Sequence, residues 1–211
     1  MLKIINSAKL IFWDFDGVIK DSVDVKTQAF KSLFLPYGAE VAARICSHHE
    51  SNGGVSRFEK IPLYLTWSGL DATEQNVSEF CDRFSASVLE AVVNSPWVPG
   101  VLDYLNENYQ NQYFVLVTAT PHSEIKIILN RLNIAHLFQE VWGAPTSKSD
   151  AIAIVMGKVE FNQEESLMIG DAESDMIAAQ SNGIPFLLRR TPINASLQVH
   201  YQGPQLDNFN P

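Results

Sequence analysis

Cysteine is scarce in this chain of 211 residues, which contains only Cys46 and Cys81. Both fall among apolar residues with helical spacing, so we expect buried free thiols rather than a disulfide framework or a thiolate metal site. Such cysteine usage fits a reducing cytosol, and we expect a cytoplasmic protein.

Positive charge and long apolar runs are also in short supply. Lys and Arg total 15 against 24 Asp and Glu, which gives a formal net charge of −9. No basic stripe is available to replace the counterions around phosphates, so we expect no binding to nucleic acid or to an anionic membrane. No apolar run reaches membrane-spanning length, and the run before Asp14 lacks a signal-peptide cleavage site. A small anionic substrate is compatible, since one lysine or metal ion can bind phosphate in an acidic protein.

What the sequence does contain is polar residues placed where apolar strands end. In residues 10–18, an apolar run ends in Asp14 and Asp16, and Gly17 follows. Residues just past a strand end leave the strand's alternation, so both carboxylates can turn toward one crevice. Two acids so close need compensation by a divalent cation or a lysine. The alternative is a solvated turn, because turns favour the same residue types.

Residues 17–98 have a different pattern of apolar residues, which recur at helical spacing. This predicts a separate all-helical domain inserted at residues 17–98, and assigns residues 1–16 and 99–211 to an α/β core domain. One helix is predicted to start at Asp71, with Glu74 three residues later. The alternation of strand and helix patterns after the insert predicts parallel βαβ units and a doubly wound sheet.

A polar, glycine-rich loop is predicted at residues 48–57 of the insert. Gly54 lets the backbone approach a ligand there, and Arg57 presents a planar fork of donors. The alternative is a simple connection between helices. For the adjacent His48 and His49 we favour solvated side chains over a metal site, because neighbours point apart on a helix and no third ligand is evident.

Three further strand ends carry polar residues. Thr118 and Ala119 follow the apolar run 114–117, Thr120 is predicted to cap the next helix, and Pro121 to begin it. Thr118 therefore lies where a strand end meets helix amides, a geometry suited to phosphate oxygens, although an isolated hydroxyl is more often structural.

Charged residues mark the other two ends. Lys148 stands at a helix entrance, where a cation needs an anionic partner unless it is solvated. Asp171 follows the run 166–169, and Asp175 lies about one turn along the next helix, so both can face one cation. A short edge strand is predicted around residues 197–201.

In their order, these strand ends resemble the motifs of the haloacid dehalogenase superfamily of phosphotransferases and phosphatases. The resemblance rests on Asp14-Phe15-Asp16-Gly17-Val18, Thr118, Lys148 and Gly170-Asp171 through Asp175. It implies a Rossmann-like core, and the insert resembles the helical cap of the branch with β-phosphoglucomutase and phosphoglycolate phosphatase. Residues 54–57 are similar to a β-phosphoglucomutase cap loop. One departure is Ser149-Asp150 after Lys148, where many relatives have proline and then Pro-Asp.

The resemblance implies a phosphatase that uses Mg²⁺ to hydrolyse a small phosphorylated metabolite, for example a sugar phosphate. It implies Asp14 as the nucleophile that forms an aspartyl-phosphate, and Asp16 as the acid and then the base. The implied metal ligands are Asp14, the Asp16 carbonyl, Asp171 and Asp175. The implied substrate-binding residues are Thr118, Ala119 and Lys148 in the core, with Gly54 and Arg57 in the cap.

Other functions stay open at this point. A phosphomutase of the β-phosphoglucomutase type would pass the phosphoryl group to a substrate hydroxyl, with Arg57 at a distal phosphate. A response-regulator receiver also uses an acidic cluster, a Thr and a Lys on a parallel sheet, but it lacks a large cap and gives Asp16 no task. A noncatalytic phosphate-binding or signalling module is the least favoured, and we expect a monomer or small homo-oligomer.

Overall fold

The computed structural model describes residues 2–210, and a parallel β-sheet lies at its centre. Its strands are β1 (Leu10–Trp13), β2 (Tyr113–Pro121), β3 (Glu140–Ala144), β4 (Ser166–Gly170), β5 (Phe186–Arg189) and β6 (Gln205–Leu206). Their spatial order is β3-β2-β1-β4-β5-β6, and every neighbouring pair is parallel. The strand order reverses at β1, which is the switch point of a doubly wound sheet. The predicted α/β fold class is confirmed.

Helices flank the sheet and fill the long connection between β1 and β2. The α-helices are α1 (Leu2–Ser7), α2 (Val23–Phe34), α3 (Ala39–Ser51), α4 (Arg57–Trp67), α5 (Glu74–Asn94), α6 (Val101–Asn108), α7 (His122–Arg131), α8 (Lys148–Met156), α9 (Glu173–Ser181) and α10 (Ala195–His200). Single 3₁₀ turns lie at Leu35–Tyr37 and Ala135–Leu137.

The central strands β1 and β4 are buried on both faces because helices cover both sides of the sheet. Ile11 and Trp13 of β1 belong to an apolar layer that includes α6 and α7. Leu10 and Phe12 point the opposite way, into a second layer with α8 and α9. Near-continuous apolar runs are what a parallel sheet covered on both faces requires.

Helices α2 to α5 pack as one group beside the carboxyl end of β1. Their interior is aromatic, with the rings of Phe30 and Phe84 stacked at 4.0 Å and Tyr64 edge-on to Phe30. Two backbone hydrogen bonds tie the outgoing and returning chain together, from Val98 to Ile19 and from Asp21 to Pro96. The helical insert is therefore present. Its separation as a domain at residues 17 and 98 stays a prediction, and the outer bounds at residues 1 and 211 lie outside the described residues.

Two helix starts differ from the sequence-based expectation. Helix α5 begins at Glu74, and the hydroxyl of Thr73 accepts from the Asn76 amide, so Thr73 and not Asp71 is the cap. Strand β2 continues through Pro121, so Thr120 lies in the strand and does not cap α7. The Thr120 hydroxyl is occupied instead by the carboxylate of Asp16 and the amine of Lys26.

The expected edge strand at residues 197–201 is wrong. Most of that segment belongs to helix α10, and the edge strand is β6 further along. The side chains of Thr191 and Asn194 accept hydrogen bonds from each other's backbone amides, and the turn they close leads the chain into the helix.

Both cysteines have free thiols; Cys81 is buried as expected, whereas Cys46 is half-buried. Within residues 2–210, no helix combines the length and the apolar character that crossing a membrane demands.

Candidate active site

The polar strand ends singled out in the sequence meet at the carboxyl edge of the sheet. Trp13 lies opposite Leu116 of β2 and Ile169 of β4, so Asp14 emerges between two neighbouring strand ends. A cavity of about 1110 Å³ opens there, between the sheet edge and helices α2 to α5, and it continues along α9 and α10. The sequence-predicted residues that line it are Asp14, Asp16, Gly54, Arg57, Thr118, Ala119, Lys148 and Asp171.

Lys148 is the central cation of the site. Its Nζ lies 2.9 Å from Oδ2 of Asp14 and 2.5 Å from Oδ1 of Asp175. Burial alone favours the neutral amine, but the two carboxylates outweigh it and raise the pKa of Lys148 above its ordinary value. The side chain is buried and is not a solvated surface lysine.

Three carboxylates converge beside this lysine. One oxygen from each of Asp14, Asp171 and Asp175 lies within 4.8 Å of the others. Burial and the charge of Asp175 raise the pKa of Asp14 to about 7. Burial and the charge of Asp14 raise the pKa of Asp171 well above its ordinary value. The single positive charge of Lys148 therefore does not balance the negative charge of the three carboxylates.

The cluster fits a hard divalent cation. Oδ1 of Asp14 is buried and has no hydrogen-bond partner in the described part of the chain, so one carboxylate oxygen stays available as a ligand. An all-oxygen donor set is the kind that Mg²⁺ prefers. Gly17 allows the close approach, because its φ is +75° and a Cβ there would lie 2.1 Å from Oδ2 of Asp171.

Asp16 turns its carboxylate away from this cluster. Its oxygens accept from the Ser22 hydroxyl at 2.6 Å and the Thr120 hydroxyl at 3.3 Å, and they form an ion pair with Lys26. Burial raises the pKa of Asp16, but the charge of Lys26 and the hydrogen bonds prevail and lower it. The carboxylate of Asp16 is thus engaged by its neighbours, and a metal-binding role for the Asp16 carbonyl stays a prediction.

Thr118 and Ala119 line the cavity at the end of β2. The Thr118 hydroxyl accepts from the Thr120 amide at 3.2 Å, so its own proton is free to donate to a ligand oxygen. The site therefore offers a hydroxyl and an ammonium beside Asp14.

The cap loop approaches the core closely at Gly54. Its φ is +76°, and a Cβ there would lie 2.1 Å from Oγ of Ser174 and 3.3 Å from Nζ of Lys148. Ser174 also donates to the carbonyl of Gly53 at 3.1 Å. Only glycine permits this contact between the loop and the edge of the sheet that carries the carboxylate cluster.

Arg57 lines the cavity, but its guanidinium is engaged by other side chains. It binds both oxygens of Glu124, at 2.9 and 2.6 Å, and the Ser85 hydroxyl at 2.5 Å. It also lies over the ring of Phe84. Both Arg57 and Glu124 are buried. The predicted contact between Arg57 and substrate stays a prediction.

The solvated side chain expected for His49 is wrong. His49 is only 6% exposed, and its Nδ1 lies 2.9 Å from Nζ of Lys60. His48 is half-buried, with its Nδ1 3.0 Å from the Tyr64 hydroxyl. The helix is longer than the loop prediction allowed, so these histidines pack inside the cap.

The sequence interpretation gave no site role to several polar residues that line the cavity, among them Lys26, His49, Lys60 and Thr120. A signal for Lys60 was present, since it follows Arg57 by three residues and so shares its helix face. Lys26 had no comparable signal, because its partners come from β2 and the strand end after β1.

Comparisons with known proteins agree with this geometry. The profile of the family described as haloacid dehalogenase-like hydrolase matches residues 11–188. Phosphoglycolate phosphatase of Pseudomonas putida is 27% identical over 210 residues, covering 94% of this chain and 75% of that protein. Phosphoglycolate phosphatase of Vibrio cholerae is 27% identical over 187 residues, covering 84% and 82%.

Solved structures share the fold. β-Phosphoglucomutase from Clostridium difficile superposes with a TM-score of 0.76 at 18% identity, covering 96% of this chain and 92% of that one. A hydrolase of the haloacid dehalogenase-like family from Streptococcus pneumoniae gives 0.70 at 20% identity, covering 95% and 93%. Likeness at these identities establishes the architecture.

Proposed function

The chain belongs to the haloacid dehalogenase-like hydrolase family and is an enzyme of the phosphatase kind, and from that premise we propose that it hydrolyses a small phosphorylated metabolite through an aspartyl-phosphate on Asp14. The observation that supports this most directly is the state of Asp14. One of its oxygens is paired with Lys148, and the other is buried in the cavity and has no hydrogen-bond partner among residues 2–210. A carboxylate so placed is suited to act as a nucleophile.

In the first step, an oxygen of Asp14 bonds to phosphorus and the bond from phosphorus to the ester oxygen breaks. Lys148 and the Thr118 hydroxyl stabilise the charge on the phosphoryl oxygens. Asp16 gives its proton to the departing oxygen, since the substrate's negative charge, once beside Asp16, favours the protonated acid.

In the second step, water attacks phosphorus and the bond to Asp14 breaks. Asp16 takes the proton from that water. The lowered pKa of Asp16 in the free protein fits its return to the carboxylate form, and Lys26 and Thr120 hold that carboxylate in place. The cap helices limit the entry of bulk water.

Magnesium is part of this proposal. When bound, Mg²⁺ neutralises charge on the phosphoryl oxygens and compensates the acids that Lys148 leaves uncompensated. The residues that would hold it are Asp14, Asp171 and Asp175, with the Asp16 carbonyl.

Phosphate release from a panel of phosphomonoesters, with and without Mg²⁺, tests the proposal. Phosphoglycolate belongs in the panel because relatives from Pseudomonas putida and Vibrio cholerae carry that substrate in their names. We expect release with Mg²⁺ that excess chelator abolishes. Activity that survives the chelator undiminished would contradict the metal requirement.

The nucleophile is tested by trapping the phosphoenzyme. Asp14→Asn should form none, whereas Asp16→Asn should form it and hydrolyse it slowly, because only proton transfer is lost. Asp103→Asn, at an exposed aspartate on α6 outside the cavity, is the control and should behave as the wild type. A phosphoenzyme trapped equally well in Asp14→Asn would assign the role to another residue.

A further inference from the structure

The cap wall of the cavity holds a buried lysine whose charge is not compensated. Lys60 on α4 is 2% exposed, and within residues 2–210 its ammonium has no carboxylate at ion-pair distance. Its hydrogen-bond partner is Nδ1 of His49, at 2.9 Å. Buried lysines are rarely left without an anion, because burial disfavours an unpaired charge.

His49 adds a second unsatisfied donor next to it. An ammonium only donates hydrogen bonds, so Nδ1 of His49 accepts from Lys60 and the ring proton lies on Nε2. That Nε2 is buried and has no partner among the described residues. The ring of Phe30 packs against the imidazole at 4.9 Å between centroids and fixes its orientation. Together Lys60 and His49 offer donors and no free acceptor.

The electrostatics of the free protein agree with a missing anion. Burial and the charge of Lys26 lower the pKa of Lys60 to about 7. Burial and the charge of Lys60 lower the pKa of His49 to about 2, so the imidazole is neutral. The groups that face Lys60 include Lys148 and the carboxylates of Asp16 and Glu59, and their combined field does not offset its burial. An oxyanion beside Lys60 would stabilise its charged form.

Both residues line the cavity that contains Asp14 and Lys148. The cavity has a volume of about 1110 Å³, part of which lies along α9 and α10, and its size is in the range of small-molecule sites. Two further cations of the helical insert line the cavity and already have partners: Arg57 is bound to Glu124, and Lys26 to Asp16.

We propose that Lys60 and His49 form an oxyanion subsite that binds a second anionic group of the substrate, a carboxylate or a second phosphoryl group. This inference rests on the proposed function, because the first phosphoryl group is placed at Asp14. The substrate class is then a phosphomonoester with a second anion at its far end.

Matched ligands that differ in one group test the subsite. 3-Phosphoglycerate and glycerol 3-phosphate differ in a carboxylate against a hydroxymethyl group, and fructose 1,6-bisphosphate and fructose 6-phosphate differ in one phosphoryl group. Dissociation constants are measured by calorimetry in the full-length Asp14→Asn variant, which binds without turnover. We expect the doubly anionic member of at least one pair to bind about tenfold or more tightly, the effect of one charge-assisted hydrogen bond. The pair with the larger difference in affinity shows whether the subsite binds a carboxylate or a phosphoryl group.

Replacing the lysine in the same background assigns the preference to this subsite. Lys60→Met should abolish it, and Lys60→Gln, which keeps a donor without the charge, should reduce it strongly. Lys20→Met is the matched control, since Lys20 is equally buried but its ammonium is directed at the Val93 carbonyl and the Trp97 ring, outside the cavity. Thermal unfolding verifies that each variant folds.

Equal affinity within both pairs, absence of binding, or a preference that survives in both Lys60 variants would overturn the subsite. The proposed function is judged separately, by wild-type hydrolysis of p-nitrophenyl phosphate, which has no second anion. Hydrolysis of that ester without any preference in the matched pairs rejects the subsite alone. A preference in binding without hydrolysis of any ester rejects the proposed phosphatase alone.

Discussion

At the scale of single residues, the site is a balance of charges around Lys148. Its ammonium touches two of the three clustered carboxylates, and the phosphoryl group of a substrate would add further negative charge. The positions of Asp14, Asp171 and Lys148 at one edge were predictable, because the carboxyl ends of parallel strands meet there. The pairing of Lys148 with Asp175 was not, since a lysine at a helix entrance is compatible with solvent as well.

Lys148→Ala should reduce turnover by about 100-fold or more, the scale on which loss of a preorganised charge donor acts. Steady-state kinetics with saturating Mg²⁺ measures the effect. The control is Lys158→Ala, whose lysine is about half exposed and pairs with Glu140 at 3.4 Å. A loss of only a few-fold in Lys148→Ala, with none in the control, would move the phosphoryl-binding role to another residue.

At the scale of elements, α4 presents two cations with different surroundings. Arg57 begins the helix and is held by Glu124 at the start of α7, so the ion pair joins the cap helices to a core helix. Lys60, one turn later, has the neutral imidazole of His49 as its partner. The spacing of residues along the chain predicted the helices, but it carried no information on a partner 67 residues away. For the same reason the burial of His49 was missed.

The Arg57 to Glu124 pair should contribute to stability, because its removal leaves a buried charge unpaired. Arg57→Ala or Glu124→Ala should lower the free energy of unfolding by about 3–5 kcal/mol, and Arg57→Met with Glu124→Leu should recover much of the loss. Urea unfolding in a double-mutant cycle measures the coupling.

The chain offers a matched exposed pair between neighbouring elements. Arg131 of α7 binds Glu90 of α5 bidentately, but both side chains are largely in solvent. Breaking that pair should change stability little, because exposed ion pairs are screened. Equal effects for the buried and the exposed pair would show that Arg57 is not structural, and its predicted contact with substrate would then gain weight.

At the scale of the whole molecule, apolar runs and helical spacing in the sequence predict the sheet, its two apolar layers and the helical insert. Apolar runs ended by Asp, Thr or Gly located β1, β2 and β4, since buried parallel strands have no polar alternation. The C-terminal segment was less predictable. Its helix α10 follows the turn between Thr191 and Asn194. The side-chain amide of Asn194 also donates to the backbone carbonyl of Asp171, beside the carboxylate cluster.

The carboxylate cluster should also link stability to pH and, under the proposed function, to Mg²⁺. The pKa of Asp14 is raised from 3.8 to about 7, chiefly by burial and then by Asp175. A carboxyl with a raised pKa in the folded state stabilises the fold fully below about pH 4, and that contribution is lost as the pH rises through 7. In excess chelator, Asp14→Asn should therefore gain stability relative to the wild type between pH 5 and pH 8.

Urea unfolding of both proteins at the two pH values measures this difference. His49, with its pKa lowered to about 2, acts in the opposite direction below pH 6.5, but it is present in both proteins and cancels in the comparison. Adding Mg²⁺ at pH 8 should stabilise the wild type by mass action and the variant much less, because the variant has lost a carboxylate ligand. The proposal would be contradicted if the difference in the free energy of unfolding between the two proteins did not change with pH and Mg²⁺ stabilised both equally. Asp14 would then not be a metal ligand.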